Sequence, residues 1–164
     1  MVILVKIVFN SSPLIFLARL HLLKVFVCAS DEFYIPEFVI EEIKVKHDEA
    51  SEYIQRLIHD NQIKVRATNL ISLASSLNVR LGKGESEAIA LCTELQANYV
   101  VLDDFAARRE AIRLGLNVRG TLAIIRNLNS EGKIAIDNLD ELYQRLMAIN
   151  FRVKRALFDA IFED

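Results

Sequence analysis

The sequence predicts an α/β protein in which a mainly parallel sheet of about five strands carries helices on both faces. Short apolar runs rich in Ile, Leu and Val alternate along the chain with segments whose apolar residues recur at helical spacing. This alternation is typical of βαβ units and of a parallel sheet. The chain has 164 residues, of which 52% are hydrophobic and 26% charged, so it can bury a core and is not a disordered protein.

The domain organisation is predicted from the scarcity of glycine and proline, the residues that interrupt helices and strands. The chain has 5 glycines and 2 prolines, and no linker-like stretch divides it. We therefore expect a single domain over residues 1–164. Its α/β core covers about residues 1–130, and a helical C-terminal extension covers about residues 131–164.

The predicted strands are short apolar runs bounded by polar residues or turn signals. The first run is almost wholly apolar, but it is too short to cross a bilayer and Lys6 interrupts it, so a buried strand is the better interpretation. The predicted strands cover residues 3–9, 25–28, 63–66, 99–102 and 117–119, with a further small strand near Phe151.

The helices are predicted from apolar periodicity together with their start and stop signals. Ser12 is an N-cap candidate with Pro13 at the first helical position, Pro36 opens another helix, and Gly115 ends a third. Beyond residue 120 the chain reads as helical, with a turn near Gly132. The predicted helices before that point follow Pro13 and cover residues 37–46, 48–60, 70–77 and 85–96, and a last one starts at Asp103 and Asp104 and runs to Leu114.

Composition excludes several classes of protein. Cys28 and Cys92 lie far apart and form no CxxC pair, which excludes a disulfide framework and a zinc knuckle. No stretch is long enough to cross a membrane, so we expect a cytoplasmic protein without membrane contact. The net charge of −2 gives no global attraction to nucleic acid, although five arginines lie between residues 105 and 126 against one acid.

Carboxylates at unusual positions form the candidate site. Glu42 falls on the apolar face of its predicted helix, and Glu85 heads the apolar stripe of another. Asp103 and Asp104 follow the fourth strand, and Asn10 follows the first. Because ligands bind at the carboxyl ends of parallel strands, these groups point to one acidic pocket.

Like charges so close together need a counter-ion, and a donor set of oxygens alone favours Mg²⁺ or Mn²⁺. Such a cation activates water and stabilises a phosphoryl transition state, so the pattern predicts hydrolysis of phosphodiester bonds. Structural roles stay open for each acid: Glu85 could complement a helix dipole, Asp103 or Asp104 could be an N-cap, and Glu42 could pair with a lysine.

Together these motifs resemble the PIN domain, in the prokaryotic branch similar to VapC-type toxins with a helical C-terminal extension. The resemblance covers roughly residues 1–130. It rests on the order and spacing of the segments 10–15, 39–43, 81–91, 101–104 and 120–121.

The resemblance implies a three-layer α/β/α sandwich and an endoribonuclease that depends on Mg²⁺ or Mn²⁺. It also implies a homodimer, RNA as substrate and, in toxin members, a small antitoxin partner. Glu42, Glu85 and Asp104 would hold the metal, with Asp103 as neighbour or substitute, and Ser11 or Ser12 would support the first position.

The chain departs from the family at that first position, where Asn10 stands in place of the usual aspartate. An amide oxygen ligates a cation without charge, so this residue supports a second hypothesis, a catalytically weakened module that binds RNA or a protein partner. A third is a structural dimer with an incidental acidic edge. Lys83 and Arg108 or Arg109 are weaker candidates for contacts with RNA phosphates.

Overall fold

The computed structural model describes residues 4–27 and 31–163, and within them five strands form one sheet. The strand order is β3-β2-β1-β4-β5, and every neighbouring pair is parallel. This confirms the predicted fold class. The strands are β1 Lys6–Phe9, β2 Glu32–Pro36, β3 Lys64–Arg66, β4 Tyr99–Val101 and β5 Val118–Arg119.

Helices lie in all four connections between successive strands and in the C-terminal part of the described chain. The first five are α1 Ser11–Arg19, α2 Leu23–Val27, α3 Glu37–Lys44, α4 Glu49–His59 and α5 Ile71–Leu77. The others are α6 Lys83–Leu95, α7 Phe105–Arg113, α8 Thr121–Ser130, α9 Leu139–Ala148 and α10 Arg155–Phe162.

The sheet separates two hydrophobic clusters because successive side chains of a strand point to opposite faces. In β1, Ile7 and Phe9 enter the larger cluster, whereas Val8 enters the smaller one. The larger cluster holds buried residues of α1–α4 and α8–α10, and the smaller one those of α5–α7. The result is the three-layer α/β/α arrangement.

The prediction of a strand over residues 25–28 was wrong. Leu23–Val27 is the helix α2, which buries Leu23 and Val27 at i, i+4 spacing, and Cys28 lies outside the described residues. A short apolar run of this kind does not reveal its period, and only packing after α1 decides it. The second strand is Glu32–Pro36, which the sequence reading missed because Pro36 was assigned to a helix start alone.

Several helix and strand boundaries also differ from the predicted ones. β1 begins at Lys6, whereas Leu4 and Val5 are not in a strand and residues 1–3 lie outside the described part. α1 begins at Ser11 with Asn10, not Ser12, at the N-cap position. α6 begins at Lys83, two residues before the predicted start, and the described chain around Phe151 contains no strand.

The C-terminal helices pack against the α/β core. Leu142, Leu146, Phe151 and Phe158 are buried members of the larger cluster. Polar contacts add to this packing, since Arg145 Nη2 donates to the Leu20 carbonyl over 3.0 Å. The predicted turn near Gly132 is present, with Gly132 at a φ of +73°.

In the described part of the chain no helix has both the length and the apolar character needed to cross a membrane.

Candidate active site

The candidate site is a cleft of about 920 Å³ at the carboxyl ends of β1 and β4. Residues that directly follow these two strands reach it together with residues from α3 and the start of α6, because parallel strands end at one edge. Every predicted acid and its neighbours line the cleft: Asn10, Ser11, Ser12, Glu42, Glu85, Asp103 and Asp104.

Asn10 occupies the junction between β1 and α1. Its backbone N–H donates to the Val101 carbonyl over 3.2 Å, which ties the end of β1 to β4. The residue is buried, with 6% of its surface exposed, and its side chain makes no capping hydrogen bond to α1. Its Oδ1 atom is buried without a hydrogen-bond partner, although buried carbonyl oxygens are normally satisfied.

Glu42 approaches Asn10 from α3. Ser11 Oγ donates to Glu42 Oε1 over 3.3 Å, so the predicted supporting role fits Ser11, whereas Ser12 is exposed at the rim. Burial raises the pKa of the Glu42 carboxyl, and the Ser11 hydrogen bond opposes that shift. Glu42 has no salt bridge to a lysine among the described residues.

Gly84 makes room for these two oxygens. A Cβ atom at this position would lie 2.2 Å from Glu42 Oε1 and 3.2 Å from Asn10 Oδ1. Glycine at the start of α6 therefore lets the helix backbone approach both side chains, at the usual cost of glycine inside a helix. The sequence analysis placed Gly84 in the matching segment 81–91 without assigning it this steric role.

Glu85 lies in the first turn of α6. Its Oε2 atom is buried without a partner, and a Cβ at Gly82 would lie 2.8 Å from its Oε1 atom. Burial raises the pKa of the Glu85 carboxyl, and the negative charges of Asp104 and Glu42 raise it further, against the lowering effect of the Gly82 backbone N–H. The chain thus holds an incompletely satisfied carboxylate beside two others.

Asp103 and Asp104 have different surroundings. Asp104 is the N-cap of α7, where its Oδ2 accepts from the Ala107 N–H over 3.0 Å. Asp103 accepts from the Thr121 N–H over 2.8 Å and from Thr121 Oγ1 over 2.5 Å. Burial raises the pKa of Asp103 despite those hydrogen bonds. Thr121, which the sequence analysis placed in a matching segment without giving it a role at the site, thereby joins the start of α8 to the end of β4.

The donor chemistry of the cleft suits a hard cation. Asn10 Oδ1 and Glu85 Oε2 are buried oxygens without a hydrogen-bond partner. Glu42 Oε1 and Asn10 Oδ1 both lie close to Gly84. Nevertheless, over residues 4–27 and 31–163 no group of three or more His, Cys, Asp or Glu side chains is arranged to hold a metal ion. The residue types of the cleft therefore suit a cation, but in the described chain their side chains do not form a closed coordination shell.

The three basic candidates lie in different places. Arg108 lines the cleft and donates from Nη1 to the Leu102 carbonyl over 3.0 Å. Arg109 lines a separate groove on the other side of α7. Lys83 lines a third cavity, and its Nζ lies 4.8 Å from the centroid of the Phe38 ring.

Another part of the cleft lining is an apolar wall that comes largely from the C-terminal extension. Sequence reasoning did not connect these residues with the acids, because the contact depends on how α10 packs on α8. The wall includes Phe16, Leu122, Phe151, Val153, Leu157 and Ile161, with Arg126 and Arg152 at its edge.

Fold and site together define an α/β protein whose parallel sheet carries an acidic pocket at its carboxyl edge. A family model described as PIN domain matches residues 6–164, and the chain belongs to this family. The match concerns the family as a whole, and the VapC-like branch stays a prediction. No curated protein and no solved structure matches the chain.

Proposed function

We propose that the chain is a divalent-metal-dependent endoribonuclease whose cleft hydrolyses RNA phosphodiester bonds. The observation that carries the proposal is the pair of buried, unpartnered oxygens, Asn10 Oδ1 and Glu85 Oε2, in one acidic cleft. Leaving such atoms unsatisfied costs free energy, about 1–3 kcal/mol each. A cation would remove that cost and the repulsion between the neighbouring carboxylates.

Glu42, Glu85 and Asp104 would hold Mg²⁺ or Mn²⁺, with Asp103 as a neighbouring carboxylate and Asn10 as an uncharged ligand. When bound, the cation lowers the pKa of water and stabilises charge on the phosphoryl group. Ser11 orients Glu42 through its hydroxyl, and Thr121 holds Asp103 through two hydrogen bonds. Arg108, the basic candidate that lines this cleft, would bind a flanking phosphate.

The family also motivates the wider proposals. As the resemblance to VapC-type toxins implies, the protein would act in the cytoplasm as a homodimer and be neutralised by a small antitoxin. Measuring the oligomeric state in solution tests the homodimer, and co-purification tests the antitoxin partner. Both measurements are independent of catalysis.

The first experiment is a calorimetric titration of Mn²⁺ into metal-free protein and into the Glu85→Gln and Glu42→Gln variants. We expect saturable binding by the wild type and at least a tenfold loss of affinity in each variant, because each removes one negative charge from the cleft. Glu41→Gln is the matched control, since Glu41 is exposed and adjacent in sequence. Equal binding by all four proteins would contradict the assignment.

Catalysis is tested with Asp104→Asn on labelled single-stranded RNA. Asparagine is as good an N-cap as aspartate, so α7 stays capped while the carboxylate is removed. We expect cleavage that depends on Mg²⁺ or Mn²⁺ in the wild type and none in the variant. Undiminished cleavage by Asp104→Asn would exclude Asp104 from the metal site.

A second candidate function has its own observation in its favour. Asn10 supplies a neutral amide, and the described acids form no group of three arranged around a metal. Both features suit a catalytically weakened module that binds RNA or a protein partner. RNA binding without Mn²⁺ binding or cleavage would favour this function over the first.

A further inference from the structure

Phe105 is an exposed aromatic side chain beside the acidic cleft. It directly follows Asp104, begins α7, and leaves 76% of its surface exposed. It lines the acidic cleft on one side and a second groove on the other. A large aromatic residue between the cleft and the groove is positioned to contact a ligand that extends from one into the other.

The second groove has a volume of about 670 Å³ and carries an excess of positive charge. Arg80, Arg109 and Arg113 line it, and Glu110 is its acidic residue. Arg80 and Arg113 both pair with Glu110, and Arg113 is the main cause of the lowered pKa of that carboxyl. Arg109 forms no ion pair within the described chain, one helical turn after Phe105.

The helix that carries these groups is firmly seated. Ala107 and Ala111 are fully buried in the smaller hydrophobic cluster, and Asp104 caps the N-terminus of α7. Phe105 and Arg109 are spaced i, i+4 and therefore lie along one side of the helix. Helix α7 therefore presents the Phe105 ring and the Arg109 guanidinium together without rearrangement.

The chemistry of this surface selects its occupant. A second copy docked by two-fold symmetry would bring the arginine-rich groove against itself, which like charges disfavour. A polyanion that also carries flat apolar faces satisfies both the arginines and Phe105. Single-stranded nucleic acid has this character, since aromatic side chains stack its bases and cations bind its backbone.

We propose that Phe105 stacks a base of single-stranded RNA at the edge of the cleft, and that the groove with Arg109 binds the phosphates that follow. The strand would thus run from the acidic cleft over the start of α7 and along that helix. This inference rests on the proposed function, because it takes the strand from the same cleft.

The test measures RNA binding instead of cleavage. Fluorescence anisotropy is recorded in EDTA at low salt with a labelled oligouridine and with an abasic strand of equal length. We expect Phe105→Ala to weaken oligouridine binding about tenfold and to leave binding of the abasic strand unchanged, because stacking needs a base. Phe105→Trp should restore the affinity.

Arg109→Gln should weaken the binding of both strands and reduce the salt dependence by about one phosphate contact. Arg56→Gln is the matched control, since it removes the same exposed charge from α4, which packs against the other face of the sheet. Circular dichroism of each variant verifies that the fold is intact.

Equal binding of oligouridine by wild type and Phe105→Ala would overturn the inference, as would an equal loss on both strands. A wild-type dimer that dissociates in Phe105→Ala, with RNA binding unchanged, would assign the surface to a second copy instead. Failure of the proposed nuclease function has a different signature, namely absent Mn²⁺ binding and cleavage while RNA binding still depends on Phe105.

Discussion

At the scale of single residues, Asn10 keeps one buried position of the acidic cleft uncharged. A carboxylate at this buried position would add a third like charge near Glu42 and Glu85, and both already have raised pKa values. The amide avoids that cost, so the folded chain tolerates the site without a cation. The same neutrality lowers the expected affinity for a metal.

The first residue-scale prediction is that Asn10→Asp raises Mn²⁺ affinity and lowers stability in the absence of metal. We expect unfolding in urea at pH 7.5 to require about 1–3 kcal/mol less free energy in EDTA, because an unpaired buried carboxylate replaces an amide. Added Mn²⁺ should restore that loss in the variant more than in the wild type.

Asn98→Asp is a useful control, because Asn98 is an exposed asparagine just before β4 on the opposite edge of the sheet. It should leave Mn²⁺ binding unchanged. If Asn10→Asp lost stability without gaining Mn²⁺ affinity, the cleft would not be a cation site.

At the scale of elements, N-caps and short polar contacts fix where helices begin and how they pack on one another. Asp48 is an example: its Oδ1 accepts from the Ser51 N–H over 2.8 Å at the start of α4, and its Oδ2 pairs with Arg19 of α1 over 3.1 Å. These contacts lower the pKa of Asp48, chiefly through the Ser51 N–H.

We predict that Asp48→Ala destabilises the protein by about 1 kcal/mol at neutral pH, because α4 loses its N-cap. Since the folded-state pKa lies below the usual 3.8, this contribution is present above pH 3.8 and is lost as the pH falls through the lowered value. Urea unfolding at pH 7 and under more acidic conditions measures the difference.

The isosteric variant Asp48→Asn keeps an N-cap and loses the ionisable group. Its stability should therefore lie between those of the wild type and Asp48→Ala, with a weaker dependence on pH below 3.8. A destabilisation by Asp48→Ala that was the same at acidic and neutral pH would argue against the ionised cap.

At the scale of the whole molecule, the C-terminal extension serves both the core and the cleft. Phe158 is fully buried beside Tyr143 and Phe162, with ring centroids 5.2 and 4.8 Å away. Its neighbour Leu157 is 57% exposed and lines the apolar wall of the cleft. Adjacent residues of α10 therefore face the core and the site.

This division predicts different outcomes for two neighbouring substitutions. Phe158→Ala should lower the free energy of unfolding by about 3–5 kcal/mol, the usual cost of truncating a buried aromatic side chain. Leu157→Ala should change it by less than about 0.5 kcal/mol, because the side chain is already largely exposed. Urea unfolding followed by circular dichroism measures both.

A single cooperative transition in both variants is expected if the extension and the α/β core fold as one domain. An early transition confined to the helical signal of α9 and α10 in Phe158→Ala would indicate that the extension folds separately, and would contradict the single-domain prediction.

The order of amino acids was enough to predict the α/β class, four of the five strands and the acids that share the cleft. These features depend on local periodicity and on the rule that parallel strands end at one edge, so each can be read from a short stretch of chain. The helix α2 and the strand β2 could not be read in this way, because a short apolar run fits either structure until its neighbours are placed.

Only the tertiary structure decided the details that matter for chemistry. The close approach at Gly84, the orphaned oxygens of Asn10 and Glu85, and the separation of Arg108 from Arg109 arise between segments far apart in the chain. The apolar wall from α10 depends likewise on how the extension packs. Such features have no local signature, since distances between distant side chains are set by the packing of whole elements.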